Sequence, residues 1–325
     1  MKNSLSVFFY EAFAEEEHSL RACLPPEISA DFTWKSIQEA GHAVPPAALI
    51  SIRTQSVVPA AWTRSLHGIL SRSAGYDHVA DWLKKNPRGI KAAYLPEYCV
   101  RAVAEQAALL WMSLLRKLPQ QQRQFPVFLR DGITGRECAG KTLLVTGVGR
   151  IGYEIARIGQ ALNMRVYGVD IVEKHSDISY MQIDEGLRQA DVVVCSMNLT
   201  AENHGYFSYE RLSQCRPGVV FVNIARGEMS PPVDLLRLLD EGIAGGVALD
   251  VYPEEPRISL LLRSGQPSDD PLVRVLREIG NRPNAVLTPH NAFNTEESVE
   301  QKSRQSVQQT VHFLNTGSFL WPVPG

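Results

Sequence analysis

Cysteine, charge imbalance and long apolar runs are all scarce in this chain, and each scarcity removes a class of protein. The five cysteines (Cys23, Cys99, Cys138, Cys195 and Cys215) are scattered and odd in number, with no CxxC pair. That excludes a zinc ribbon and a disulfide framework, so no metal site is expected and a reduced, cytoplasmic setting is. Acid and base nearly cancel: 33 Lys and Arg stand against 35 Asp and Glu, a formal net charge of −2. Such a balance leaves no electrostatic footprint for nucleic acid or an anionic membrane. The opening stretch MKNSLSVFFYEAFAEEEHSL has no long apolar run and turns acidic early, so neither a signal peptide nor a membrane span is expected there. Internal repeats and low-complexity segments are absent too. What is present is 44% hydrophobic and 21% charged residues over 325 positions, an ordinary soluble composition with length for about two domains.

The most informative stretch is Lys141–Gly152, KTLLVTGVGRIG. Thr142–Thr146 reads as a buried strand running into Gly147-Val148-Gly149-Arg150-Ile151-Gly152. Tyr153, Ile155, Ala156, Ile158, Ala161 and Leu162 then follow at helical spacing. Strand, GxGxxG loop and helix form a dinucleotide-binding unit in the right order. Gly147 permits the tight turn, Gly149 lets backbone approach a pyrophosphate, and Gly152 lets the helix pack close to the strand. The amides at Arg150 and Ile151 open the helix, where free N–H groups and the positive dipole end favour phosphates. Met164–Val169 reads as the next strand and ends in Asp170, at the distance beyond the loop where an acid holds the ribose 2′-hydroxyl. An acid there repels a 2′-phosphate, so NAD is expected over NADP. Lys174 and His175 nearby soften that preference and keep NADP as the lesser alternative.

On the N-terminal side, strand-like runs at Leu5–Tyr10, Ala47–Ile52, Ile69–Ser73 and Lys91–Leu95 alternate with helical or polar stretches. That alternation indicates a small parallel α/β domain. Its loop Ser71–Asp77, SRSAGYD, follows a strand end and is a candidate ligand contact through backbone N–H groups. Tyr98–Leu118 reads as one long helix limited by Pro96 and Pro119, with a domain boundary near 98. Gln120–Arg136 reads as irregular, with Phe125, Val127, Phe128 and Leu129 as an apolar island that packs on a partner subunit or covers the core. After the glycine loop, strands are expected at Asp191–Ser196, Gly218–Asn223, Gly245–Val251 and Asn284–Thr288. Helices are expected at Leu235–Leu239, Asp270–Ile279 and Thr295–Asn315, with Phe319–Gly325 as a tail.

Three polar residues follow consecutive strand ends: Arg226 in VNIARGE, Glu255 in LDVYPEEP and His290 in LTPHNAFNT. Their types suit one reaction. An Arg grips a 2-keto acid carboxylate with two N–H donors. A His titrating near neutrality hands a proton to the carbonyl oxygen as hydride arrives. A carboxylate on the other ring nitrogen fixes the tautomer and favours the charged form.

With these motifs the chain resembles the D-isomer-specific 2-hydroxyacid dehydrogenase family, most strongly over 141–293 and nearest its D-lactate dehydrogenase-like branch. The resemblance implies a Rossmann-type doubly wound parallel sheet (99–292, NAD-binding) inserted into a smaller flavodoxin-like α/β substrate domain (1–98 plus 293–325). It implies that Arg226 binds substrate, that Glu255 pairs with the acid/base His290, and that Asp250 contacts the nicotinamide carboxamide. Through the SAGYD, PEYCVRAVAE and HNAFNT motifs it places Ala74, Gly75, Tyr98 and Phe293 at the substrate. It also implies a homodimer, a small 2-keto or 2-hydroxy acid as the other partner, and an active site in the cleft between domains. Pro231 stands five positions after Arg226 where the family has an acid, Val100 stands where it often has Pro, and the segment 257–281 is longer than in many members. Rival expectations are an NAD(H)-sensing regulator on the same fold and phosphite or formate oxidation, the formate version disfavoured by Glu255.

Overall fold

A run such as LLVT, VVVC or VVFVN carries no polar alternation, which is the mark of a strand covered on both faces in a parallel sheet. The computed structural model, which describes residues 5–324, builds two sheets from such runs. The chain divides into two units, one made of residues up to Cys99 and from Asn294 onward, the other Val100–Phe293.

The first unit holds strands β1 (Val7–Phe9), β2 (Ala30–Phe32), β3 (Leu49–Ile52), β4 (Gly68–Ser71) and β5 (Lys91–Ala93) in the order β2-β1-β3-β4-β5. All pairings are parallel. This is the flavodoxin-like order, whose reversal between β1 and β3 opens a crevice at the carboxyl ends. One face packs Phe8, Tyr10, Ile50, Ile52, Trp62 and Ile69. The helix Glu296–Thr316 starts at Thr295, whose hydroxyl accepts from the Ser298 amide, and ends at Gly317 with φ +71°. It packs on the helix Ala14–Cys23 and on β4. The last residues return as well: Pro322 bridges antiparallel to Ala93. Of the expected tail, Gly325 lies outside the described residues.

The second unit holds β6 (Thr142–Thr146), β7 (Arg165–Val169), β8 (Ser179–Tyr180), β9 (Val192–Cys195), β10 (Val219–Asn223), β11 (Ala244–Leu249) and β12 (Ala285–Leu287). Their order is β12-β11-β10-β9-β6-β7-β8, all parallel. That is the doubly wound Rossmann order with one strand added, and its switch point falls between β6 and β9.

Two expectations are corrected. β2 and β8 are strands that the sequence reading omitted; both are edge strands, short and partly polar, as edges commonly are. The helix expected to run to Leu118 stops at Leu115, and a second one, Leu118–Gln124, runs into the stretch taken as irregular, Gln120–Arg136. Lys117 turns left-handed at φ +53° between them, and Pro119 sits in the first turn, where no N–H is needed. Within the longer segment 257–281, the expected helix Asp270–Ile279 runs from Pro271 to Asn281, and the helix Glu255–Arg263 precedes it. Phe125, Val127 and Phe128 are 71–75% exposed, so the apolar island does not cover the core of this chain.

Candidate active site

The second unit gathers its functional edge at the carboxyl ends of β6–β12. At the β6 end the amide of Gly147 bonds the Val169 carbonyl. Gly147 has φ +84°, and a Cβ there would lie 2.6 Å from the Met197 nitrogen. A Cβ on Gly152 would lie 1.9 Å from the Gly147 carbonyl oxygen, so the close approach is helix to loop rather than helix to strand. Gly149 differs: its Cβ would meet open space. The helix Arg150–Ala161 that follows has no side-chain cap. The amides of Gly149 and Ile151 find no acceptor among the described residues. A loop with bare amides, an uncapped helix start and open space over Gly149 fits a pyrophosphate. Ser196, at the end of β9, donates to the carbonyl oxygens of Gly147 (2.8 Å) and Thr146 (3.1 Å) and pins the loop from the other side of the switch point. The sequence reading missed Ser196; its one signal was a hydroxyl ending the apolar run DVVVCS.

Asp170 follows β7, and its carboxylate accepts the amides of Val148 (2.6 Å) and Val172 (3.1 Å). Those bonds aim it at the glycine loop and leave lone pairs for a ribose diol. The His175 ring stacks on Tyr153, with ring centroids 3.8 Å apart.

Arg226, Glu255 and His290 follow β10, β11 and β12, three neighbours in the sheet. The His290 Nδ1 lies 2.7 and 2.8 Å from the two Glu255 carboxylate oxygens. Glu255 is the first residue of its helix, where the dipole favours a carboxylate. Both side chains are largely covered. Phe293, buried, sets its ring edge-on to His290 at 6.4 Å. The Arg226 turn is braced by buried Asn223, whose side-chain amide donates to the Arg226 carbonyl and the Ser230 hydroxyl, both at 2.8 Å. A Cβ on the next residue, Gly227, would lie 1.9 Å from the Tyr252 carbonyl carbon. The missing side chain thus lets the Arg226 turn press on the Tyr252-Pro253 segment that leads to Glu255.

Asp250 is fully buried, and its carboxylate accepts from the Thr288 hydroxyl (2.5 Å), the Asn291 amide (2.8 Å) and the Ala292 amide (2.9 Å). Burial raises its pKa, against the pull of His290 and these bonds. Tyr252 adds a hydroxyl bond to the Thr288 carbonyl at 2.7 Å. Asp250 and Tyr252 therefore hold the turn that carries His290, whose backbone is left-handed at φ +51°. The family resemblance implies a cofactor contact for Asp250; its anchoring of the His290 turn carries no signal in the sequence.

The remaining candidates lie in the first unit. Ala74 and Gly75 follow β4 in a turn held by Ser73, whose hydroxyl donates to the Gly75 carbonyl at 2.7 Å. Both residues are half-exposed and their amides have no acceptor among the described residues, an arrangement suited to an anion. Tyr98 is buried, which pushes its hydroxyl pKa well above the ordinary value. All five cysteines are free, and burial drives the thiols of Cys195 and Cys215 up to about 12. Among the described residues no cluster of His, Cys, Asp and Glu suits a metal, and no helix is long and apolar enough to cross a membrane.

The model of the D-isomer specific 2-hydroxyacid dehydrogenase NAD binding domain matches residues 108–292. A D-lactate dehydrogenase of Streptococcus agalactiae is 30% identical over 260 residues, covering 77% of each chain. An aromatic 2-oxoacid reductase of Clostridium sporogenes is 31% identical over 238 residues, covering 71% of this chain and 70% of that protein. In the crystal, a D-lactate dehydrogenase of Aquifex aeolicus complexed with NAD and lactic acid aligns at a TM-score of 0.83. It is 26% identical over 98% of this chain and 100% of that one.

Proposed function

The chain belongs to the D-isomer specific 2-hydroxyacid dehydrogenases and is an NAD-dependent oxidoreductase, and we propose on that premise how it works. It interconverts a 2-keto acid and a D-2-hydroxy acid. The observation that carries the reading is the His290–Glu255 pair at 2.7 Å, set on strand ends beside that of Arg226. The nicotinamide supplies or takes the hydride. Arg226 holds the substrate carboxylate with a two-pronged grip. His290, protonated during reduction, releases its Nε2 proton to the carbonyl oxygen, and takes it back during oxidation. Glu255 holds Nδ1 as the donor to itself, so that Nε2 is the atom that exchanges. Ala74 and Gly75 offer amides to the carboxylate, and Tyr98 and Phe293 contribute to the substrate pocket.

Asp170 supports a preference for NAD over NADP, since a 2′-phosphate would face its carboxylate. The exposed Phe125, Val127 and Phe128 support a homodimer, because an apolar patch of this kind on a soluble chain marks an interface.

The test is a panel of 2-keto acids from pyruvate to phenylpyruvate, followed by NADH and NADPH oxidation, with the configuration of the product determined. The reading expects D-product and faster turnover with NADH. Tight NADH binding without turnover of any keto acid would favour a sensing role instead.

A further inference from the structure

A second cluster of charge lies in the first unit, and the reaction as described does not use it. Arg72, Glu16 and Lys302 are all 0% exposed. Arg72 directly precedes the Ser73–Gly75 turn. Its Nε donates to Glu16 Oε1 at 2.8 Å, its Nη1 to the Ser51 hydroxyl at 2.9 Å and its Nη2 to the Tyr10 carbonyl at 2.5 Å. The Lys302 Nζ lies 3.0 Å from the same Glu16 oxygen. It also sits 5.0 Å from the Phe13 ring centroid and 5.8 Å from that of Tyr98.

These residues come from five places in the chain: the end of β1, β3, the turn after β4, the helix Ala14–Cys23 and the helix Glu296–Thr316. A buried ion cluster stabilises little, since removing charges from water is costly and an apolar replacement is often neutral or better. Its asset is geometry. Arg72 has a planar guanidinium, and three fixed acceptors leave it one orientation. The group so fixed is two and three residues from the bare amides of Ala74 and Gly75. The group at the far end of the cluster, Lys302, faces the ring of Tyr98.

We propose that Arg72, Glu16 and Lys302 form a positioning relay that holds the Ala74 and Gly75 amides and the Tyr98 ring in register for the keto acid. The relay rests on the reading of those three residues as substrate contacts. The cofactor loop and the His290 pair belong to the other unit. Loss of the relay therefore weakens substrate capture and leaves cofactor binding alone.

The variant to make is Lys302→Met. It is close in length, and it leaves Glu16 paired with Arg72. The expected result is a rise in KM for the best keto acid of about tenfold or more, with kcat and NADH affinity within about twofold of the parent. An unchanged KM overturns the proposal, as does a loss that falls equally on kcat, KM and NADH binding. If the parent enzyme turns over no keto acid, the reading of the site fails, and amide exchange decides the relay by itself. The reporters are the amides of Arg72 and Leu95, which bond the Ile52 and Ser73 carbonyls. Faster exchange there in Lys302→Met, with the melting temperature held, supports the relay; unchanged exchange overturns it.

Discussion

At His290 the backbone sits at φ +51°, a conformation that costs a residue bearing a Cβ about 1–2 kcal/mol. The three bonds into Asp250 and the Tyr252 hydroxyl on Thr288 offset that strain and set the imidazole against Glu255. Asp250→Asn keeps the shape but turns an amide NH₂ toward backbone N–H donors. The expected cost is about 1–3 kcal/mol, read from urea denaturation, together with a fall in kcat as the His290 turn relaxes. An unchanged midpoint would show that the turn does not depend on the carboxylate. Arg226→Lys keeps the charge and loses the fork, so KM for the keto acid should rise by about tenfold or more, as one charge-assisted bond of 1.5–3 kcal/mol is lost. An unaltered KM counts against its carboxylate role.

At the scale of elements, the loop from β6 into the helix Arg150–Ala161 depends on absent side chains. In Gly152→Ala the new Cβ meets the Gly147 carbonyl oxygen and must push helix and loop apart. NADH affinity, measured by fluorescence titration, should fall by about tenfold or more while secondary structure by circular dichroism persists. Full affinity would mean that the amides of this loop do not hold the cofactor. The loop was legible in the sequence because glycine spacing, the flanking apolar runs and Asp170 are local signals. So were β6, β9 and β10, whose continuous apolar runs suit strands buried on both faces. The edge strands β2 and β8 were not legible, since two or three partly polar residues carry no period. The three polar residues after β10, β11 and β12 were legible as types, but the grip of Asp250 on residues 288–292 was not. It joins positions about forty residues apart through backbone amides, which leave no mark on side-chain identity.

At the scale of the whole molecule, charge buried in the first unit makes stability depend on pH in two windows. Burial raises the Glu16 pKa, but the charges of Arg72, Lys302 and Arg53 outweigh it and hold the carboxyl at about 2, below its ordinary 4.5. A depressed acid contributes stability that is present above about pH 4.5 and is lost as pH falls toward 2. Lys302 adds a second window of the same sense, at higher pH. Burial lowers it from 10.5 to about 7, so between those values the unfolded chain binds more protons and stability rises with pH. Calorimetry should show the melting temperature falling as pH drops from about 4.5 toward 2, and falling less steeply in Glu16→Gln. Identical slopes would contradict the assignment. None of this cluster was legible in the sequence, because Glu16, Arg72 and Lys302 each look like ordinary surface residues until the fold brings them together. The exposed Phe125, Val127 and Phe128 give a further prediction at this scale. Phe128→Asp should shift sedimentation from dimer to monomer, and a parent protein that sediments as a monomer would remove the homodimer from the account.

The proton transfer through His290 is open to one direct measurement. Single-turnover and steady-state reduction of the fastest keto acid by NADH is compared between the parent and His290→Ala, with NADH affinity measured on both. A loss in kcat on the order of 10²–10⁴-fold with NADH binding retained is expected. Turnover near that of the parent would contradict it.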